Sequence, residues 1–240
     1  MAQTTAAWTG GGSARHLVQY AWGTIARPGP TFEALAAERS VRWALAIAAL
    51  GVVEGWGNMA LFALFGYDWL GSRPLLADPT YVGGMGYWRV PADQWLPIFA
   101  ALLPVLALYG LVIVPGTAHL LSKLWGGRGT YEQMVNVLAF ATVPSLAIAW
   151  LSEWLTGVPL NLLSGRAYFY GAAMQGEFGP TVAILWTIYA SVVYTIPWAW
   201  GIVLGIVGIR RVQGISWPGA VVAMLVAFAS SLLITSTFVR

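Results

Sequence analysis

The sequence predicts an all-α, polytopic integral membrane bundle of five transmembrane helices, with its N-terminus in the cytoplasm and its C-terminus outside. Three observations predict it. Of 240 residues, 58% are hydrophobic and only 9% are charged, where a soluble domain carries about 25% charged residues. The mean hydropathy is +0.70. Five stretches, about 43–66, 95–118, 134–156, 182–208 and 218–239, are apolar over the roughly 20 residues that a helix needs to cross a hydrocarbon core about 30 Å thick. Such spans must be helical, because an open sheet edge leaves backbone groups unsatisfied in lipid. Finally, Arg15, Arg27, Arg39, Arg42, Lys123, Arg128, Arg210 and Arg211 fall on one side of that topology, and Arg73, Arg89, Arg166 and Arg240 on the other. The positive-inside rule puts the richer side in the cytoplasm.

Residues 1–42 read as a cytoplasmic N-terminal segment with interfacial helices, and 43–240 as the five-span transmembrane domain. The first fourteen residues have no positive charge and no compact apolar run, so they do not read as a signal peptide. Leu17, Val18, Ala21, Trp22 and Ile25 follow at helical spacing between Arg15 and Arg27, the pattern of an amphipathic helix lying at the interface. Arg27-Pro28-Gly29-Pro30 breaks the chain. Thr31 is the expected N-cap of a second short helix, with Glu33 in its first turn.

The first span carries Glu54 near its middle. An ionisable group at that depth costs about 2.5–3.5 kcal/mol on insertion scales, so it should face the bundle interior. Gly51, Glu54, Gly55 and Asn58 share one helical face. Gly51 and Gly55 form a small-xxx-small pair that lets a neighbouring helix approach. This face reads either as a proton or ligand site or as a protonated Glu hydrogen-bonded across helices; Glu153 lies near a span end and does not complete a buried relay. The outer connections, about 67–94 and 157–181, are long and rich in Tyr, Trp, Phe and Gly, as for segments lying on the membrane surface or against a partner.

At the inner end of the second span stands His119, with Lys123 four residues on. A lone His can axially ligate a haem or chlorophyll-type ring; it can equally hydrogen-bond at the interface. Pro144 and Pro197 are deep enough to kink the third and fourth spans. Gly201 and Gly205 form a second close-packing stripe. Trp43, Trp69, Trp95, Trp125, Trp154 and Trp217 mark span ends, as in an aromatic belt.

Several chemistries drop out. There is no cysteine, which removes disulfides, thiolate metal sites and iron–sulfur ligation, and only two histidines, His16 and His119. No metal site and no catalytic residue are predicted: the sequence has no G-x-S-x-G elbow, no H-E-x-x-H and no P-loop. A net charge of +3, dispersed along the chain, does not point to nucleic acid. Eleven Arg against one Lys, with abundant Ala, Gly and Trp, is the bias of a GC-rich bacterial genome and suggests a bacterial inner membrane.

Residues 118–146, AHLLSKLWGGRGTYEQMVNVLAFATVPSL, resemble the central signature of the Yip family, five-span membrane proteins that interact with Rab/Ypt proteins. In its bacterial branch a helix end is followed by a Gly-Gly-basic-Gly turn, a Ser/Thr-aromatic pair and a span with a central Pro. Here these are Gly126, Gly127, Arg128, Gly129, Thr130, Tyr131 and Pro144. Residues 27–35 resemble the segment that leads into the family's first span, and 205–222 the link between its last two. The resemblance implies a non-enzymatic scaffold or adaptor; its eukaryotic members engage Rab-type GTPases in vesicle traffic. The N-terminal segment here is shorter than theirs.

The functional expectation is therefore a membrane scaffold of Yip type, acting through lipids and other integral membrane proteins. One alternative is an accessory subunit of a larger respiratory or photosynthetic complex, docking through its aromatic outer loops. Another is a small transporter or channel built on Glu54 and Asn58. No cofactor is predicted; bound lipid is expected, and a pigment or haem contact at His119 has no second feature behind it.

Overall fold

The computed structural model describes residues 14–38, 40–65, 92–152, 155 and 179–238. Residues 1–13, Arg39, Glu153, most of both outer connections with Arg73, Arg89 and Arg166, and the terminal Arg240 lie outside the described residues, as does the side chain of Asn58. Every secondary-structure element among the described residues is helical. Two helical stretches, Ala100–Leu124 and Thr187–Gln213, are long and apolar enough to cross a membrane.

The first helix, α1 (Ala14–Ala26), is followed after Arg27 by α2 (Pro28–Ala37). The expected break at Arg27-Pro28-Gly29-Pro30 is confined to Arg27. Pro28 starts α2, because a first-turn N–H has no helical partner to lose and the fixed φ of proline suits the helix. Thr31 therefore lies inside α2 rather than capping it, and its hydroxyl donates to the Arg27 carbonyl at 2.9 Å. The apolar residues of α1 divide between two faces. Leu17 and Ala21 pack on the core with buried Tyr20, while Val18, Trp22 and Ile25 are 66%, 68% and 39% exposed.

Four further helices follow: α3 (Arg42–Phe65), α4 (Ala92–Leu124) and the pair α5 (Tyr131–Ala141) and α6 (Val143–Ser152). α4 keeps Pro97, Pro104 and Pro115 inside its 33 residues. It runs to Leu124, past the expected end of the second span, because Ser122 and Lys123 still find backbone partners in the turn beyond. α5 and α6 are separated at Thr142, two residues before Pro144, which has no N–H to offer the preceding turn. The Thr142 hydroxyl donates to Ala139 O at 2.7 Å across the break.

α7 (Pro180–Ala190) leads into a π-helical segment, Ser191–Thr195, and then α8 (Ile196–Gln213). The π segment ends just before Pro197, where a helix lacks one N–H donor and a wider turn re-seats the ladder. The last helix is α9 (Trp217–Phe238).

The core forms around α5, whose residues Met134–Ala141 are all buried. On one side, Phe32 and Leu35 of α2 and Tyr20 of α1 meet Val137, Phe140 and Leu204. Tyr20 stands edge-on to Phe140, with ring centroids 5.9 Å apart. On the other, Met134 and Leu138 meet Ala220, Ala223 and Ala227 of α9. α8 reaches this core through small residues. A Cβ on Gly205 would lie 2.8 Å from Met224 Sδ, and one on Gly201 3.0 Å from Ala141 O. Large apolar side chains face outward instead, among them Val105, Val112, Ile184, Leu185, Leu232 and Leu233. A surface so apolar suits lipid rather than water.

Candidate functional site

The α4–α5 connection is built residue by residue by its glycines and caps. Gly127 N donates to Ser122 O at 2.9 Å, and Gly126 N to Lys123 O at 3.0 Å. These paired bonds, with Gly126 at φ +76°, form a Schellman motif closing α4. Left-handed φ makes glycine the unstrained choice at 126. Gly129 answers a different need: a Cβ there would lie 2.6 Å from Val212 O, so only a bare backbone fits against the end of α8. Arg128 N then donates to Gln213 O at 3.0 Å. Lys123 Nζ donates to Gly127 O and Gly129 O at 3.0 and 2.9 Å, gathering the turn under one ammonium.

Thr130 and Gln133 form a capping box at the start of α5. The Thr130 hydroxyl accepts from Gln133 N, and Thr130 N donates to Gln133 Oε1 at 2.9 Å. The Gln133 amide also donates to Ala36 O of α2 at 2.5 Å, and Asn136 Nδ2 to Ser40 O at 3.0 Å. Both bonds tie α5 to the segment before α3. Tyr131 OH donates to Leu111 O at 3.3 Å, fastening α5 to α4. In the first turn of α5, Glu132 is held below the usual carboxylate range by a hydrogen bond from its own backbone N–H and then by the Thr130 hydroxyl.

This end of the bundle is basic. Arg15, Arg27 and Arg42 join Lys123, Arg128, Arg210 and Arg211, against Glu33, Glu38 and Glu132. Arg211 pairs with Glu33 at 2.6 Å and Arg42 with Glu38 at 3.7 Å. Arg210 and Arg42 lie over the rings of Trp217 and Trp43, 4.6 and 4.8 Å from the centroids. Tyr20 OH donates to Glu38 at 3.3 Å; burial, then the Glu38 charge, push the phenol above its ordinary value. Arg128 is exposed at the tip of the turn.

The Yip1 domain model matches residues 22–238, nearly the whole chain and all of this geometry except the start of α1. The chain belongs to the Yip1 family. It is thus a membrane protein of Yip type. No curated protein and no solved structure shows a significant match to it.

Within this Yip1-family protein the sequence-predicted residues do not all come together. The signature turn, Gly126 to Tyr131, comes together with His119 at the basic end. His119 Nδ1 stands 3.2 Å from Gln213 Nε2, so the amide donates when the ring carries its proton on Nε2. Tyr131 lies edge-on to the imidazole at 6.1 Å. Among the described residues no three His, Asp or Glu side chains stand close enough to share a metal ion. Pro144 and Pro197 are buried beside the two helix interruptions, away from the turn. Glu54 lies apart, the thirteenth of the 24 residues of α3, on the wall of a cavity of about 560 Å³ between α3, α4, α5 and α6.

Sequence reasoning missed Gln133, Asn136 and Gln213, which join elements far apart in the chain. The available signals were a capping-box spacing from Thr130 to Gln133 and a polar Asn136 inside an apolar helix.

Proposed function

We propose that this Yip1-family chain is a non-enzymatic scaffold of a bacterial inner membrane, crossing it five times with its N-terminus in the cytoplasm. It works by presenting a rigid basic face to anionic headgroups and to other integral membrane proteins. One observation carries the reading. The signature residues Gly126, Gly127, Gly129, Thr130 and Tyr131 all go to fixing the shape of one end of the bundle, and Arg128 is left exposed on it.

Two features support the membrane-surface part. Val18, Trp22 and Ile25 form an exposed i, i+4, i+7 stripe on α1, with Arg15 and Arg27 at its ends. Basic residues beside a bilayer are drawn to the negative cytoplasmic leaflet, by about 1 kcal/mol each. The five-span part is supported by α3 and α9, of 24 and 22 residues, lying beside α4 and α8.

The chain has no cysteine, so single cysteines report cleanly. Arg128→Cys and Arg166→Cys should be labelled from opposite sides of sealed inner-membrane vesicles. Labelling from one side overturns the topology. Purification from the source membrane in mild detergent should yield a colourless particle with substoichiometric partners. Stoichiometric subunits or pigment would make the protein part of a fixed complex instead.

A further inference from the structure

The Glu54 cavity has a shape and chemistry that the basic face does not explain. At one end α3 and α4 touch: a Cβ on Gly55 would stand 2.7 Å from Leu103 Cδ1, and Trp56 Nε1 donates to Ala100 O at 2.9 Å. Beyond that clamp the helices part. A Cβ on Gly51 would meet only Leu146 Cδ1, at 3.9 Å, and one on Gly110 would meet nothing within 4 Å. The two glycines of the small-residue stripe on α3 thus do opposite things. Gly55 brings α4 close, and Gly51 helps leave a space of about 560 Å³, inside the roughly 300–1,000 Å³ range of small-molecule sites.

The walls are apolar apart from three side chains, Glu54, Thr142 and Ser145. Thr142 and Ser145 follow Leu138 at helical spacing and bring two hydroxyl-bearing residues to an otherwise aliphatic lining, with the Thr142 hydroxyl donating to Ala139 O. A space lined this way at mid-span does not favour bulk water, and a fully charged headgroup is costly at that depth. A neutral molecule with a long apolar body and one hydroxyl matches both parts of the lining. The body fills the aliphatic space, and the hydroxyl donates to the Glu54 carboxyl, whose oxygens can accept more than one bond.

We propose that the cavity between α3, α4, α5 and α6 is a binding site for one neutral, hydroxyl-bearing apolar molecule of the membrane, such as a long-chain or isoprenoid alcohol, with Glu54 as its polar partner. The site stands whatever the basic face binds.

Two photoreactive alkyl diazirines of equal chain length test this on the full chain in nanodiscs, one ending in a hydroxyl and one in a methyl group. Crosslinks are mapped by mass spectrometry. The hydroxyl probe should label cavity-lining peptides about five- to tenfold more than the methyl probe, as expected of one hydrogen bond in an apolar site. Glu54→Leu should bring that ratio to about one while cavity labelling persists. Gly110→Phe, which grows into open space, should remove cavity labelling by both probes; Gly51→Leu repeats the test from the opposite wall if the first variant does not fold. Labelling spread over the outer faces, or unchanged by both filling variants, overturns the site. A hydroxyl preference that survives Glu54→Leu overturns the role of Glu54.

Discussion

Gly129 and Gly110 show how differently one residue type is used. At Gly129 a methyl group would collide with the Val212 carbonyl, and the backbone on both sides is held by hydrogen bonds. Gly129→Ala should cost about 1–3 kcal/mol by overpacking. Gly110 has open space and a helical setting, so Gly110→Ala should instead stabilise by about 0.5–1 kcal/mol. Opposite shifts of the unfolding midpoint in detergent check the pair. Glu132 supplies a pH-dependent contribution. Its folded pKa lies below the unfolded value, so its stabilisation is present above the unfolded pKa and is lost as pH falls through the folded one. Glu132→Gln should lower the unfolding midpoint at pH 7, and its difference from the wild type should vanish in acid below the folded pKa.

Among the elements, the interrupted helices carry the most information. The π segment Ser191–Thr195 ends two residues before Pro197, while the Tyr189 hydroxyl is hydrogen-bonded to Ser152 of α6. Restoring the missing donor should let a plain α-helix run through. Pro197→Ala should therefore slow amide exchange over 191–197, while exchange in α9 stays unchanged. If exchange over 191–197 does not slow, the proline is not what holds the π turn. The breaks were half legible in the sequence. A proline announces that a ladder is interrupted, but whether the chain answers with a cut at Thr142 or a π turn depends on what packs beside it. The buried Ala141 carbonyl close to Gly201 and the Ser152–Tyr189 pair are such neighbours. Propensity likewise misplaced the start of α2 at Thr31, where Pro28 was the better signal.

At the scale of the molecule, α1 and α2 are part of the bundle as well as of its surface. Phe32 and Leu35 are fully buried, and Tyr20 sits between Trp43 and Phe140. Removing residues 1–37 should expose Val137, Phe140 and Leu204 and leave an aggregating product. Recovery of a monodisperse, helical particle from that truncation would show that the two helices only rest on the bundle.

By itself the sequence determined that the chain is helical, that it belongs in a membrane, and which family it resembles, because composition and local motif order carry those properties. It also marked Glu54 and the Gly126–Tyr131 turn as unusual. What only the tertiary structure decided is what those residues touch. Gln213 meets His119 across 94 positions, and Gln133 meets Ala36 across 97. Gly51 and Gly55, one helical turn apart, serve a cavity and a contact. The reason is physical: periodicity tells which face of a helix differs from the others, but a contact or a cavity is a property of two surfaces, and the second surface is set by the packing of the whole bundle.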